Sequence, residues 1–138
     1  MPTHSGQISF PGGRHDQDDS GPTATALREI NEELGVAAGD IDVIGKIDDV
    51  PTPLGFVITP VVGWLRDPAA FTIDEREVVE YFEIDLEELT DPANFKHRGE
   101  REIEGVSYPV PEYHVGGKLI WGATARITQR LLQIAELV

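Results

Sequence analysis

The sequence contains no cysteine, and this absence removes several classes of function. A disulfide scaffold, a thiolate zinc site and a cysteine nucleophile are all excluded. Any metal must therefore be held by oxygen ligands or by histidine. The histidines do not show the spacing of metal ligands, and we predict surface or hydrogen-bonding roles for them. They are His4, His15, His97 and His114.

Positive charge is also scarce. The chain has 11 Lys and Arg residues against 25 Asp and Glu residues, which gives a formal net charge of −14. Nucleic-acid binding depends on clustered Lys and Arg that displace counterions, so we expect no nucleic-acid partner. An acidic protein can still act on an anionic substrate when metal ions held by its carboxylates reverse the local charge.

Long apolar runs are missing as well. No run approaches the roughly 20 residues that a membrane helix needs. The first residues, Met1-Pro2-Thr3-His4-Ser5, lack the basic and apolar regions of a signal peptide. We therefore expect a cytoplasmic protein with no membrane partner. A chain of 138 residues, 40% hydrophobic and 26% charged, is typical of one globular domain, and we expect a single domain over residues 1–138.

Helical and alternating patterns together predict an α+β fold. Leucine and isoleucine recur at helical spacing between Pro22 and Gly35, which predicts a helix that ends at the glycine. A second helix is predicted from apolar residues at Ile120, Ala123, Ile127, Leu131 and Ile134. Strands are predicted at 7–10, 41–47, 55–65, 77–84, 101–106 and 113–115, with a short helix at 85–89. Trp64, Trp121 and Phe82 are predicted to be core aromatics.

Three glutamates share one face of the first predicted helix. Glu29 precedes Glu32 by three residues and Glu33 by four, so the three carboxylates are neighbours. Because like charges at these spacings repel, we expect a cation there. Arg28 can neutralise one acid, and the remaining oxygens suit Mg²⁺ or Mn²⁺. The alternative is an acidic helix face that is merely solvated.

The stretch from Gly12 to Val36 resembles the Nudix box. The general form of the box is a glycine, five residues, a glutamate, seven residues and an Arg-Glu block. The block here reads Arg28-Glu29-Ile30-Asn31-Glu32-Glu33-Leu34-Gly35-Val36. Gly13 lies one position further from Arg28 than in the general pattern, and an aspartate, Asp19, stands for the mid-loop glutamate.

Both departures are shared with the coenzyme A pyrophosphatases, the branch of the family that this chain resembles. Its members carry a Phe-Pro-Gly-Gly turn, two loop aspartates and a Thr-Ala-Leu-Arg-Glu helix start. The chain has Gly6-Gln7-Ile8-Ser9-Phe10-Pro11-Gly12-Gly13, then Asp16 and Asp19, then Thr25-Ala26-Leu27-Arg28-Glu29. Similar segments continue at 52–63, 77–78, 91–95 and 120–125, so the resemblance covers nearly all of the chain.

The resemblance implies a mixed β-sheet between helices and a metal-dependent hydrolase. Glu32 and Glu33 would ligate Mg²⁺ or Mn²⁺, and Glu29 would be a ligand or the base that prepares the attacking water. The Gly13 carbonyl would be an extra ligand, and Arg28 would orient the acids through a salt bridge, for example with Asp19.

The implied substrate is coenzyme A or an acyl derivative. Its diphosphate would be cut to 3′,5′-ADP and 4′-phosphopantetheine or the acylated product. Another nucleoside diphosphate, such as ADP-ribose or a nucleotide sugar, is the alternative substrate. A catalytically silent Nudix fold that only binds a ligand is the alternative from a different class.

Several residues outside the box are further candidates. Glu77 or Glu80 would supply an extra carboxylate, and we prefer Glu77. Asp48 and Asp49 are predicted to be turn residues. Basic side chains that would meet substrate phosphates, or remain ordinary surface charges, are Arg98, Arg101 and Lys118.

The start of the chain also carries an expectation. Family members usually have a strand-rich segment, with arginines, before a His-x-Gly-Gln stretch, and here His4 is already the fourth residue. A missing strand would leave an unpaired sheet edge. We therefore expect this form to be weakly active and to self-associate, for example as a homodimer.

Overall fold

The computed structural model describes residues 8–67, 71–78 and 80–138. Predictions that involve His4, Gly6, Gln7 and Val79 lie outside the described residues. The elements are α1 (Pro22–Leu34), β1 (Ile41–Lys46), β2 (Val50–Pro51), β3 (Val57–Ile58), β4 (Val61–Leu65), α2 (Leu86–Thr90), β5 (Phe95–Ile103), β6 (Val106–Val115), β7 (Lys118–Ile120) and α3 (Gly122–Ile134).

Two compact units make up the structure. The first consists of the described parts of 1–46 and 61–82, and it contains α1, β1 and β4. The second consists of residues 47–60 and 83–138, and it contains all the other helices and strands.

Helix α1 of the first unit confirms the predicted helix. Pro22 lies in its first turn, where a missing N–H costs nothing because that group has no partner within the helix. Gly35 ends the helix at φ 69°, a left-handed conformation that favours glycine, and its amide donates to the Asn31 carbonyl. Leu34 and Thr25 are the buried residues of the helix.

Strands β1 and β4 pair antiparallel in the first unit. The register shifts between Val43 and Gly45, so one extra residue interrupts the ladder. Trp64 pairs opposite Asp42 and is 65% exposed, so its prediction as a core residue is wrong. Alternation in a strand turns every second side chain away from the covered face, and the aromatic ring lies on the outward side.

Two predicted strands are wrong within the described residues. Residues 8–10 make no ladder, and residues 77, 78 and 80–84 form a turn followed by irregular chain. The Asp74 carbonyl accepts the amides of Glu77 and Val78, and these local hydrogen bonds take the place of a strand ladder. Phe82, predicted to be in the core, is half-buried.

The second unit is built on an antiparallel sheet of β5, β6 and β7. The predicted short strands at 101–106 and 113–115 are parts of this longer hairpin. Charged residues on both faces of β5 hide its alternation from the sequence. The predicted strand at 55–65 is broken after β3 by Thr59 and Pro60, which carry no ladder.

Helix α3 packs its small residues into the core of the second unit. Its buried residues are Thr124, Ala125, Ile127, Thr128 and Leu132. The predicted apolar stripe is therefore only partly correct, since Ile134 is 52% exposed and Ile120 belongs to β7. Trp121, just before the helix, is 45% exposed, so its core prediction is also wrong.

The α+β class is confirmed. Every strand pairing among the described residues is antiparallel, whereas a mixed sheet would also contain parallel neighbours. No helix in the described part of the chain is both long and apolar enough to cross a membrane.

Candidate metal and catalytic site

The acidic residues of α1 lie in an unfavourable place for negative charge. Glu29, Glu32 and Glu33 occupy its last two turns, and no basic residue is present in the final turn. The carboxyl end of a helix carries partial negative charge, which repels acids and adds to the repulsion among the carboxylates. A compensating cation is therefore required from outside that turn.

Arg28 is one such cation, and all of its N–H groups have acceptors. Its Nε donates to Asp19 Oδ1 at 3.0 Å, and Nη2 donates to Asp19 Oδ2 at 3.1 Å and to the Arg14 carbonyl at 2.9 Å. Its Nη1 lies 3.0 Å from Glu29 Oε1 and 3.3 Å from both oxygens of Glu32. The five donors of a guanidinium are thus all used, which fixes its orientation.

The Arg28–Asp19 salt bridge was predicted from the sequence and is present. The Asp19 side chain is only 7% exposed, and hydrogen bonds from Arg28 and then from the Asp16 amide hold the pKa of its carboxyl well below the usual range. Asp19 raises the pKa of Arg28 in return. The ion pair closes the loop of residues 14–19 onto α1.

Glu29 and Glu33 form the centre of the site. The pKa of Glu33 is raised to about 7, chiefly by burial and also by a hydrogen bond with Glu29 and by the charges of Glu29 and Glu77. The Gly12 amide donates to Glu33 Oε1 at 3.2 Å and works in the opposite direction. Burial and the neighbouring charges therefore disfavour the ionised form of Glu33.

The Gly12-Gly13 turn lies directly against this pair. A Cβ atom on Gly13 would stand 2.5 Å from the Glu29 carboxyl carbon and Oε1, far inside ordinary contact. A Cβ on Gly12 would meet nothing within 4 Å. Gly13 is therefore needed for the close approach of a carboxylate and not for a special backbone angle.

The segment that follows β4 closes the end of α1. The Thr72 amide donates to the Leu34 carbonyl at 2.7 Å, and the Asp74 amide donates to the Glu33 carbonyl at 3.0 Å. These bonds satisfy carbonyls that a helix end leaves open. They also bring Glu77 near enough for its charge to raise the pKa of Glu33.

The carboxylates suit a divalent metal in chemistry and charge. Glu29 and Glu33 offer hard oxygen ligands, and a cation would relieve the repulsion between their ionised forms. The Glu32 side chain is 47% exposed and contacts Arg28 Nη1 at 3.3 Å, and its predicted role as a metal ligand stays a prediction. No group of three or more acidic or histidine side chains is assembled as a metal site among the described residues.

Other predicted candidates lie elsewhere or have different partners. His15 Nδ1 lies 3.2 Å from Thr25 Oγ1, and His114 lies 3.2 Å from Glu112, in agreement with hydrogen-bonding roles. Arg98 belongs to the second unit and is paired with Glu112 at 2.9 Å. Arg101 and Lys118 also lie in the second unit, on β5 and β7.

Two functional groups were missed by the sequence reasoning. The Gly12 amide contacts Glu33, and the Thr25 hydroxyl donates to Asp19 Oδ2 at 2.8 Å. Thr25 begins the Thr-Ala-Leu-Arg-Glu segment that resembles the coenzyme A pyrophosphatases, so its functional role could have been predicted from the sequence. The contact with the Gly12 amide depends on how the turn folds back and has no such signal.

The metal-free protein is expected to lose stability as the pH rises. The pKa of folded Glu33, about 7, lies above its ordinary value of 4.5, so folding takes up a proton between these values. The stabilising contribution is complete below pH 4.5 and is lost as the pH passes 7. Urea unfolding in EDTA at several pH values measures this change. The Glu33→Gln variant cannot titrate and should show a shallower decline; identical slopes would contradict the assignment.

Comparison with known proteins agrees with this geometry. Residues 2–126 match the NUDIX domain family. The chain is 38% identical over 134 residues to the "Uncharacterized Nudix hydrolase NudL" of Yersinia enterocolitica. The aligned region covers 94% of this chain and 66% of the relative. Proteins of the same name from Yersinia pestis and Yersinia pseudotuberculosis are 35% identical over 130 residues. The chain spans just under two thirds of the length of these relatives.

Proposed function

We propose that this chain, which belongs to the Nudix family, hydrolyses the diphosphate bond of a small nucleotide derivative. The reaction would use a divalent metal ion. The observation that carries the proposal is the Glu29–Glu33 carboxyl pair, held beside the Gly13 backbone and backed by Arg28. A bound metal would neutralise the diphosphate, activate water and stabilise the leaving oxygen.

Each residue of the site has a defined part in this proposal. Glu33 would hold the metal, and Glu29 would be a second ligand or the base that accepts the proton of the attacking water. The water oxygen bonds to one phosphorus, the bridging P–O bond breaks, and its electron pair leaves with the other phosphate. Arg28 keeps Glu29 Oε1 in place. Glu32 would have to exchange its contacts with Arg28 for the metal.

Two predicted ligands remain part of the proposal. The Gly13 carbonyl would add an oxygen next to Glu29, and Glu77 would add a carboxylate from outside the box. The charge of Glu77 already contributes to the raised pKa of Glu33, which supports its inclusion. We propose Mg²⁺ or Mn²⁺ as the metal, because both prefer carboxylate and carbonyl oxygens.

Coenzyme A or an acyl derivative is the proposed substrate. The support is the resemblance of the Phe10-to-Gly13 turn, of Asp16 and Asp19, and of the Thr25 segment to the coenzyme A pyrophosphatases. Asp16, Asp19 and Thr25 are linked by hydrogen bonds, since the Asp16 amide donates to Asp19 at 2.9 Å and Asp19 accepts from the Thr25 hydroxyl. The products would be 3′,5′-ADP and 4′-phosphopantetheine or its acylated form.

Chromatography of the products over a panel of diphosphates tests the substrate. The panel holds coenzyme A, ADP-ribose and a nucleoside triphosphate, each with Mg²⁺ and with Mn²⁺. Coenzyme A is expected to be cleaved fastest. Faster cleavage of ADP-ribose would refute the coenzyme A proposal and leave the general diphosphatase proposal standing. Retention of a ligand without cleavage of any diphosphate would favour the binding module.

A further inference from the structure

Thr25 is a buried polar residue in the first turns of α1, and it lies on the side of the helix that faces the loop of Asp19. Its side chain is among the few buried polar ones of the described chain, at 7% exposure. Its Oγ1 lies 2.8 Å from Asp19 Oδ2, 3.2 Å from the Gly21 carbonyl and 3.2 Å from His15 Nδ1. A hydroxyl has one hydrogen, so it can donate to only one of the two oxygens.

The distances and charges assign that hydrogen to Asp19. The carboxylate is closer than the carbonyl, and an ionised acceptor forms the stronger bond. With the hydrogen so placed, the lone pairs of Thr25 Oγ1 can accept from a protonated His15 Nδ1. In many helices a threonine hydroxyl donates to the carbonyl four residues earlier, which here is that of Gly21. The shorter distance to Asp19 shows that Thr25 bonds outside its helix instead.

Hydrogen bonds with Asp19 in turn fix the orientation of the Arg28 guanidinium. Three hydrogen bonds of Arg28, between 3.0 and 3.3 Å, go to the two oxygens of Asp19. With these contacts in place, Nη1 alone reaches the acids of α1. A guanidinium released from Asp19 would be free to turn toward Glu29 and Glu33 and would compete there with a metal ion.

We infer that Thr25 is a positioning residue of the metal site, because its hydroxyl fixes Asp19, which keeps Nε and Nη2 of Arg28 away from the carboxylates that would bind the metal and leaves only Nη1 in contact with Glu29. The inference rests on the proposed function in one respect, namely that Glu29 and Glu33 bind a divalent cation. It adds a residue that touches neither metal nor substrate and acts through two others.

The test is Mn²⁺ binding to the full chain, measured by the electron paramagnetic resonance of free Mn²⁺. Thr25→Val keeps the shape of the side chain and removes the hydroxyl. It is expected to weaken Mn²⁺ binding about 10-fold or more, the range seen when a partner of a metal ligand is lost. Thr25→Ser keeps the hydroxyl and is expected to bind Mn²⁺ as the wild type does.

Thr128 supplies a matched control in the second unit. It is 3% exposed, and its hydroxyl donates to the Thr124 carbonyl of its own helix at 2.8 Å. Thr128→Val should therefore lose stability in thermal melts but bind Mn²⁺ normally. An equal loss of Mn²⁺ affinity in Thr128→Val would show that any buried hydroxyl has this effect and would overturn the inference.

The remaining outcomes also decide the question. Unchanged Mn²⁺ affinity in Thr25→Val, with a saturable site in the wild type, overturns the role of Thr25 and leaves the proposed function intact. A wild type without any Mn²⁺ site would defeat both. Should Thr25→Val fail to fold, Asp19→Asn takes its place: weakened Mn²⁺ binding supports the inference, and wild-type affinity overturns it.

Discussion

Glu33→Gln is expected to lower diphosphate turnover by roughly 10²- to 10³-fold, the size of effect that follows the loss of one well-placed electrostatic group from a reaction site. The amide keeps the shape of the side chain and an oxygen that can accept from the Gly12 amide. It removes one of the two charges that the metal is proposed to neutralise. Steady-state rates with saturating Mg²⁺ or Mn²⁺ measure the loss.

The fold of this variant should remain intact or become more stable without metal. Glu33→Gln removes a carboxylate whose ionised form is disfavoured by burial and by the charges of Glu29 and Glu77, so the melting temperature in EDTA should not fall. In the wild type, metal at 100 times its dissociation constant should stabilise the fold by about 2.7 kcal/mol, and the variant should lose most of this gain. Glu87→Gln on α2 is the matched control, since it removes an equal charge from an exposed position. Wild-type turnover in Glu33→Gln would remove Glu33 from the site.

Gly13→Ala should be the second most damaging change. The new Cβ would stand 2.5 Å from the Glu29 carboxyl, where ordinary contact begins at 3.4 Å. The end of a glutamate side chain can yield, so the carboxylate would move by about 1 Å and the fold would survive. A misplacement of that size can cost about 100-fold in rate.

Gly12→Ala separates this effect from a general intolerance of the turn. Nothing lies within 4 Å of a Cβ at Gly12, and its amide would still donate to Glu33. Turnover and melting temperature of Gly12→Ala should stay near those of the wild type. The explanation fails if Gly12→Ala and Gly13→Ala lose activity equally, or if Gly13→Ala unfolds the protein.

The sequence predicted the helix that depends on local residue spacing. It did not predict features that depend on how segments pack and hydrogen-bond after folding. Helix α1 follows from the helical spacing of its apolar residues and from Gly35, and the Arg28–Asp19 ion pair is implied by the family resemblance. The absence of a strand in the described part of 77–84 could not be foreseen, because these residues alternate as in a strand and the competing hydrogen bonds to the Asp74 carbonyl appear only after folding. The exposure of Trp64 was also not predicted, because a hydrophobic residue in a strand can lie on either face and its sequence position does not show which face is covered.

The position of Glu32 shows a different limit of prediction from the sequence. The spacing that puts three glutamates on one face is correct, but a helix face is broad enough for two of them to meet while the third turns to Arg28. Which acids meet depends on the turn of Gly12 and Gly13 and on the residues after β4. Neither is visible in the helix sequence itself.

The closure of α1 by the segment after β4 has a consequence for how the chain can change over time. Thr72 and Asp74 hold the last turn through their main-chain amides, which every residue except proline possesses. Many side chains could therefore replace Thr72 without loss of these bonds. Gly35 is less tolerant, because a Cβ added there would stand 3.0 Å from the Thr72 Cβ. Proline at 72 or 74, or a change in the length between them, would remove the bonds altogether. Drift in residue identity is thus permitted here, whereas insertions, deletions and proline are not.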